Sequence, residues 1–123
     1  MLKEGLSGTS RTVVSDGNTA AAAGSGDMPV FSTPAMAALM ENAAMNAVAH
    51  LLPEGSTTVG TRLEIDHIKA SAVGAEITAT AVLTAIEGRK LTFNVGARDS
   101  GGMIGEGVHV RFVVERERFM SKL

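Results

Sequence analysis

Three residues of this 123-residue chain can move protons or hold charge from unusual places: Thr33, Glu41 and His67. Glu41 lies in a helical stretch from Pro34 to Leu52, away from the polar stripe of Asn42, Asn46 and His50. At roughly 100° per residue it points about 140° from the middle of that stripe. Its neighbours there are Ala37, Ala38, Ala44, Met45 and Val48. A carboxylate among small apolar side chains is expected to be at least partly buried, which is costly unless it has a partner. His67 belongs to an alternating stretch, Thr57 to Lys69. Val59, Thr61, Leu63, Ile65 and His67 share one strand face; Thr58, Gly60, Arg62, Glu64 and Asp66 share the other. The apolar face should turn toward the helix and bring the imidazole to the carboxylate. Taken singly, Glu41 can be a carboxylate held by backbone amides. A lone His on an apolar face is more often a satisfied core residue. Perturbed acid–base groups cluster at functional sites, so together the two are read as acid–base chemistry.

Thr33 precedes Pro34 and is expected to be the N-cap of the helix. A helix N-terminus also favours developing negative charge. The Thr33 hydroxyl can orient water, donate to an oxyanion or itself attack. Gly60 interrupts a strand, either as a bulge or where backbone approaches a ligand. His109 and Arg111 fall opposite Val108, Val110 and Phe112 on the last strand. An exposed strand face is the plain reading; an interface or the phosphates of a ligand is the other. No His pair has metal-ligand spacing, so no metal is expected. The glycines at 101, 102, 105 and 107 follow a hairpin rather than opening a helix, so they make no phosphate loop.

These residues must be positioned by one modest core. The length suits a single domain, residues 1–123. The composition is 45% hydrophobic and 20% charged, with four Phe and neither Trp nor Tyr, so the core must be aliphatic. A net charge of −2 gives no reason to expect nucleic acid. Without Cys there is no disulfide, thiolate ligand or cysteine nucleophile. No apolar run is long enough for a membrane span, and the N-terminus lacks a signal-peptide core. A cytoplasmic location with no membrane partner is expected.

Gly8 to Ser15 alternates as a first strand, and a short helix is placed around Thr19 to Ala23. Pro53-Glu54-Gly55 stops the main helix. The period then changes from 3.6 to 2. Ala75, Ile77, Ala79, Ala81 and Leu83 mark one strand face, and Leu91, Phe93, Val95 and Ala97 the next. Val108, Val110, Phe112 and Val114 mark the last. Short turns at Glu87-Gly88-Arg89 and Asp99 to Gly102 imply an antiparallel meander of four strands. One helix with much apolar surface and about five strands implies an α+β fold, a curled antiparallel sheet wrapped around a central helix.

Several motifs sit on these elements at fixed spacing. They are Val30-Phe31-Ser32-Thr33-Pro34, Leu39-Met40-Glu41-Asn42-Ala43-Ala44, Val59-Gly60-Thr61, His67, Glu87-Gly88-Arg89 and Ile104 through Arg111. Thr33 and Glu41 are 8 apart, and Glu41 and His67 are 26 apart. In this the chain resembles the hotdog-fold thioesterases, and within them the fluoroacetyl-CoA thioesterase-like family. The resemblance implies a hotdog fold of five antiparallel strands around one long central helix. It implies acyl-CoA hydrolysis with Thr33, Glu41 and His67 as the catalytic trio and Gly60 beside the reacting thioester. Phe31 and Arg111 join Gly60 as expected substrate-binding residues. No cofactor is implied, since coenzyme A is part of the substrate. A homodimer is implied, or a higher oligomer built from it, with acyl-CoA at or near the subunit interface. The family's namesake covers its acyl pocket with aromatic side chains in the stretch before the main helix. Here that stretch reads Gly24-Ser25-Gly26-Asp27-Met28, with no aromatic before Phe31. A non-catalytic acyl-CoA or acyl-carrier binding protein and an enoyl-CoA hydratase or dehydratase are the alternatives.

Overall fold

The computed structural model describes all 123 residues. Strand β1 (Ser7–Val13) leads into a short helix α1 (Ala20–Ala23) and the long helix α2 (Thr33–Val48). A turn of 3-10 helix follows over Ala49–Leu51. Then come β2 (Ser56–His67), β3 (Glu76–Glu87), β4 (Lys90–Asp99), β5 (Gly102–Glu115) and a final helix α3 (Arg116–Ser121). All five strands form one antiparallel sheet in the order β1-β3-β4-β5-β2. The meander therefore holds three strands rather than four. Two-residue turns join β3 to β4 and β4 to β5, and Gly88 supplies the positive φ that the first of them requires. The segment from Ile68 to Ala75 is too long for such a hairpin, and it carries the chain away from the β2 edge to the other side of the sheet.

Helix α2 starts one residue earlier than its proline suggests. Ser32 is the N-cap, with its Oγ accepting from Ala35 N at 3.1 Å, and Thr33 is the first helical residue. Pro34 is tolerated beside it because the first-turn amides have no partner within the helix. The expectation that Thr33 caps the helix is thus corrected, and its hydroxyl is left free for another contact.

The core lies between α2 and the concave face of the sheet. Met36, Met40, Ala43, Ala44, Ala47 and Val48 of the helix are buried against Ile77, Ala79, Ala81, Leu83, Leu91, Phe93, Val95 and Ala97. Burying each of the larger of these side chains contributes roughly 1.5–3 kcal/mol. The helix packs most closely over β1 and β3. A side chain at Gly8 would meet the backbone of Ala43 and Ala47, so that close approach needs glycine. Asn46 Nδ2 donates to Thr9 O at 3.0 Å, and Ser10 Oγ donates to Asn42 Oδ1 at 2.7 Å. These bonds tie the polar stripe of the helix to β1 and leave the β5–β2 half of the sheet open beside Glu41.

Two faces are corrected on that half. Between Gly60 and Arg62 the register of β2 against β5 shifts, leaving Thr61 as an extra residue. This bulge reverses the alternation. Thr58 and Gly60 before it face inward, as do Leu63, Ile65 and His67 after it. On β5 the inward face carries Gly105, Gly107, His109 and Arg111, which pair with the inward residues of β4. Val108, Val110, Phe112 and Val114 take the outer face. His109 and Arg111, expected on an exposed strand face, are buried.

Candidate active site

The first turn of α2 and the end of β2 meet at one side chain each. Thr33 Oγ1 lies 2.8 Å from His67 Nδ1. Because Ser32 takes the capping role, the Thr33 hydroxyl can make this contact without exposing the helix end. Phe31, itself buried, packs edge-on against the imidazole with ring centroids 6.5 Å apart. The other ring nitrogen, His67 Nε2, is buried and has no hydrogen-bond partner. Burial disfavours the imidazolium and lowers the His67 pKa below its ordinary value of 6.5. A neutral imidazole on a hydroxyl at this distance is the geometry of a base and the group it activates or orients. Thr33, His67, Phe31 and Ser25 help to line a cavity of about 350 Å³.

Glu41 meets different partners. Its side chain is 42% exposed, so the carboxylate is only partly withdrawn from water. A Cβ on Gly60 would stand 2.9 Å from Glu41 Oε2, 3.1 Å from His109 Cε1 and 3.2 Å from Arg111 Nη1. Gly60 therefore gives these three groups room to converge, and the expected bulge begins beside it at Thr61. Arg111 is held by Nε donating to Thr58 Oγ1 at 2.8 Å and Nη2 donating to Thr58 O at 2.9 Å. Its Nη1 donates to His109 Nε2 at 3.1 Å. His109 Nδ1 donates to Arg62 O at 2.7 Å, which leaves Nε2 as the acceptor and the ring neutral. Burial is the main cause of the lowered His109 pKa and agrees with that tautomer. His109 Nε2 is 3.9 Å from Glu41 Oε2, and with a neutral ring this is proximity rather than an ion pair. Burial also lowers the Arg111 pKa, and the Glu41 charge opposes the shift. The result is a fixed guanidinium beside a half-exposed carboxylate.

Glu41 and His67 do not meet within one chain, contrary to the expected pairing. No hydrogen bond or ion pair joins them. The Glu41 carboxylate abuts Gly60, and His67 is seven residues further along β2. At about 3.3 Å per residue that is roughly 23 Å. Residues 33 and 41 are likewise about 12 Å apart along the helix axis. The chain holds a Thr33–His67 pair and a Glu41–Arg111 group as two separate constellations.

Thr58 escaped the sequence reading, and His109 was placed on an exposed face rather than among these partners. A signal was present: Gly105 and Gly107 share strand parity with His109 and Arg111, and glycines at alternate positions mark a face that something approaches closely. At Gly105 that neighbour is Met36 of the helix.

A family model described as fluoroacetyl-CoA-specific thioesterase matches residues 14–117, which includes every residue of both constellations. The chain belongs to this family. Membership makes it a thioester hydrolase acting on acyl-CoA. Among its relatives, the fluoroacetyl-CoA thioesterase of Streptantibioticus cattleyicolor is 39% identical over 94 residues, covering 76% of this chain and 68% of the relative. A solved structure of a fluoroacetyl-CoA thioesterase superposes with a TM-score of 0.91 at 34% identity, over 99% of this chain and 95% of the other. A hot-dog-like protein from Thermanaerovibrio acidaminovorans gives 0.89 at 25% identity, over 98% and 90% of the two chains. The hotdog fold implied by the sequence is the fold of this family member, with a central helix of sixteen residues extended by one 3-10 turn.

Proposed function

We propose that this thioesterase hydrolyses a small or medium acyl-CoA through Glu41, Thr33 and His67, with the three groups assembled across a homodimer. The observation that carries the proposal is the 2.8 Å contact of Thr33 with His67 beside a cavity, about 12 Å along the helix from Glu41. Thioester hydrolysis needs an activated attacking group and donors for the oxyanion; the thiolate of coenzyme A leaves readily. Glu41 either deprotonates the attacking water or attacks the carbonyl to form an anhydride that water then opens. Thr33 donates to His67 Nδ1, which leaves the proton of the neutral ring on Nε2 to hold and polarise the thioester oxygen, and the helix N-terminus adds a favourable field for its charge. Arg111 and Gly60 line the approach of the substrate to Glu41.

The dimer is supported by what one protomer leaves uncovered. Strand β2 is a twelve-residue sheet edge, and such an edge offers a row of unpaired amides and carbonyls. Beside it Ala38 is exposed and Met45 half-buried, an apolar strip flanking Glu41. An antiparallel pairing of β2 with its copy, centred on Glu64, sets Leu63 opposite the partner's Ile65. Because Thr61 is bulged out, His67 then falls opposite the partner's Gly60, and so next to the partner's Glu41. A two-fold axis makes both sites at once.

Incubation of the protein with acyl-CoAs and a thiol reagent tests the reaction. Free thiol released by the wild type and not by Glu41→Gln supports the proposal. Tight binding without thiol release, or hydration of an enoyl-CoA instead, overturns it.

A further inference from the structure

Arg111 is buried close to the Glu41 carboxylate, yet no ion pair joins them. A guanidinium beside a carboxylate ordinarily closes on it with two parallel hydrogen bonds. Here each of its three nitrogens is given to a neutral acceptor instead. Nε and Nη2 go to the hydroxyl and carbonyl of Thr58, and Nη1 goes to Nε2 of His109. That imidazole has no exposed surface. It is fixed from behind by Nδ1 donating to Arg62 O at 2.7 Å, and by the Phe93 ring, tilted 31° with centroids 6.4 Å apart. Arg62 turns its own charge to Glu64, so its carbonyl and not its guanidinium meets the ring. Nε2 of His109 is 3.1 Å from Arg111 Nη1 and 3.9 Å from Glu41 Oε2, so one ring edge reaches both charges. With its proton on Nδ1, the ring offers Nε2 a lone pair for Arg111 and no donor for the carboxylate.

We propose that His109 is a positioning residue that withholds Arg111 from Glu41, as acceptor for Nη1 and as a spacer, and so keeps the carboxylate free to act. The inference rests on the acyl-CoA reading above and names what prepares its carboxylate. A carboxylate paired twofold with a guanidinium is stabilised in its charged form. That makes it a weaker base toward water and a weaker nucleophile toward a thioester carbonyl. Gly60 leaves open the space where the three groups converge, so the backbone sets no barrier between the two charges and the imidazole does. The Glu41 side chain is 42% exposed and has room to close on Nη1 once that nitrogen lacks a partner. A buried donor left without an acceptor is costly, which favours the closure.

Two substitutions separate the two nitrogens of the imidazole. His109→Asn keeps a donor for Arg62 O and removes the acceptor. His109→Gln keeps an acceptor within reach of Nη1 and gives up the donor. Circular dichroism confirms their fold. His109→Asn is expected to lose about tenfold or more in kcat on acyl-CoA with KM little changed, and His109→Gln to keep most of it. Removing the guanidinium should relieve the block, so His109→Asn/Arg111→Met should turn over faster than His109→Asn. A crystal structure of His109→Asn should show Arg111 Nη1 hydrogen-bonded to Glu41. Equal losses in His109→Asn and His109→Gln, no loss in His109→Asn, or a double variant no faster than its parent overturns the proposal. If His109→Asn does not fold, Thr58→Val, which frees Nε of the same guanidinium, carries the same expectations. If the wild type hydrolyses no acyl-CoA, the hydrolytic reading fails and the variant structure alone decides. A new Arg111–Glu41 pair then sustains the withholding role, and an unchanged separation ends it.

Discussion

The hydroxyl of Thr33 sits 2.8 Å from Nδ1 of His67, so the first residue of the central helix is joined to the last residue of an edge strand. Ser32 makes this possible by capping the helix in its place. Thr33→Val keeps shape and cap and removes the hydroxyl. We expect kcat to fall by about 10²-fold or more, within the range for a positioned acid–base group, while the melting temperature stays nearly unchanged. A clear drop in melting temperature with kcat retained would make the hydroxyl structural.

His67 is expected to set the acid side of the pH profile. Burial disfavours its charged form and lowers its pKa below 6.5. The neutral imidazole, the form that can accept from Thr33, therefore persists to lower pH than for an exposed histidine, and protonation removes it only below that point. The acid limb of kcat/KM attributable to His67 is expected below about pH 6.5. A limb above that value, abolished in His67→Ala, would mean that the ring is stabilised as a cation instead.

Much of this arrangement can be read from the sequence where a pattern runs unbroken. The inward faces of β3 and β4 follow from uninterrupted alternation, Ile77 to Leu83 and Leu91 to Ala97, and the helix from its period and its proline. The reading failed at β2 and β5. Alternation gives a period but not which of two faces points in, and one extra residue exchanges them. Thr61 is that residue in β2. In β5 the apolar residues lie outward because the inward face is given to His109 and Arg111, whose polar groups find partners in Thr58 and Arg62. Those partners are about fifty positions away in sequence, and no local pattern announces them. Thr33, Glu41 and His67 could be singled out from the sequence as chemically capable residues. Their division into two constellations could not be read there, since it depends on where along β2 the helix lays each side chain.

Gly60 tests the position of the carboxylate. Alanine there would place a Cβ 2.9 Å from Glu41 Oε2 and 3.2 Å from Arg111 Nη1. The backbone φ is not positive, so strain from the conformation itself is absent. Gly60→Ala should fold normally and lose on the order of tenfold to a hundredfold in kcat, the cost of a displacement of about 1 Å at a reacting group. Unchanged kcat would show that Glu41 does its work elsewhere or does none.

Acyl selectivity is expected to follow from the cavity beside Thr33. Its wall includes Ala20 and Ser25 of α1 and the residues that follow it. Met28 is 60% exposed, and Phe31 is packed down against His67, so neither covers the opening. Despite the family's name, fluoroacetyl-CoA should not be strongly preferred over acetyl-CoA, and butyryl- and phenylacetyl-CoA should be accepted. Size differences of a methylene in an apolar pocket give only about 1–3 kcal/mol, so the preferences should be graded. Values of kcat/KM across these four substrates check this; a dominant fluoroacetyl value would show that another part of the chain closes the cavity.

The deciding question is whether Glu41 of one chain works with Thr33 and His67 of another. Glu41→Gln and His67→Ala should each be folded and inactive. Co-expressed with different affinity tags and purified as the mixed species, they form a heterodimer in which one site keeps Glu41 from one chain and the Thr33–His67 pair from the other. Thiol release from acyl-CoA should return to about half the wild-type rate, one of two symmetric sites being intact. A mixed dimer as inactive as its parents would contradict the shared site.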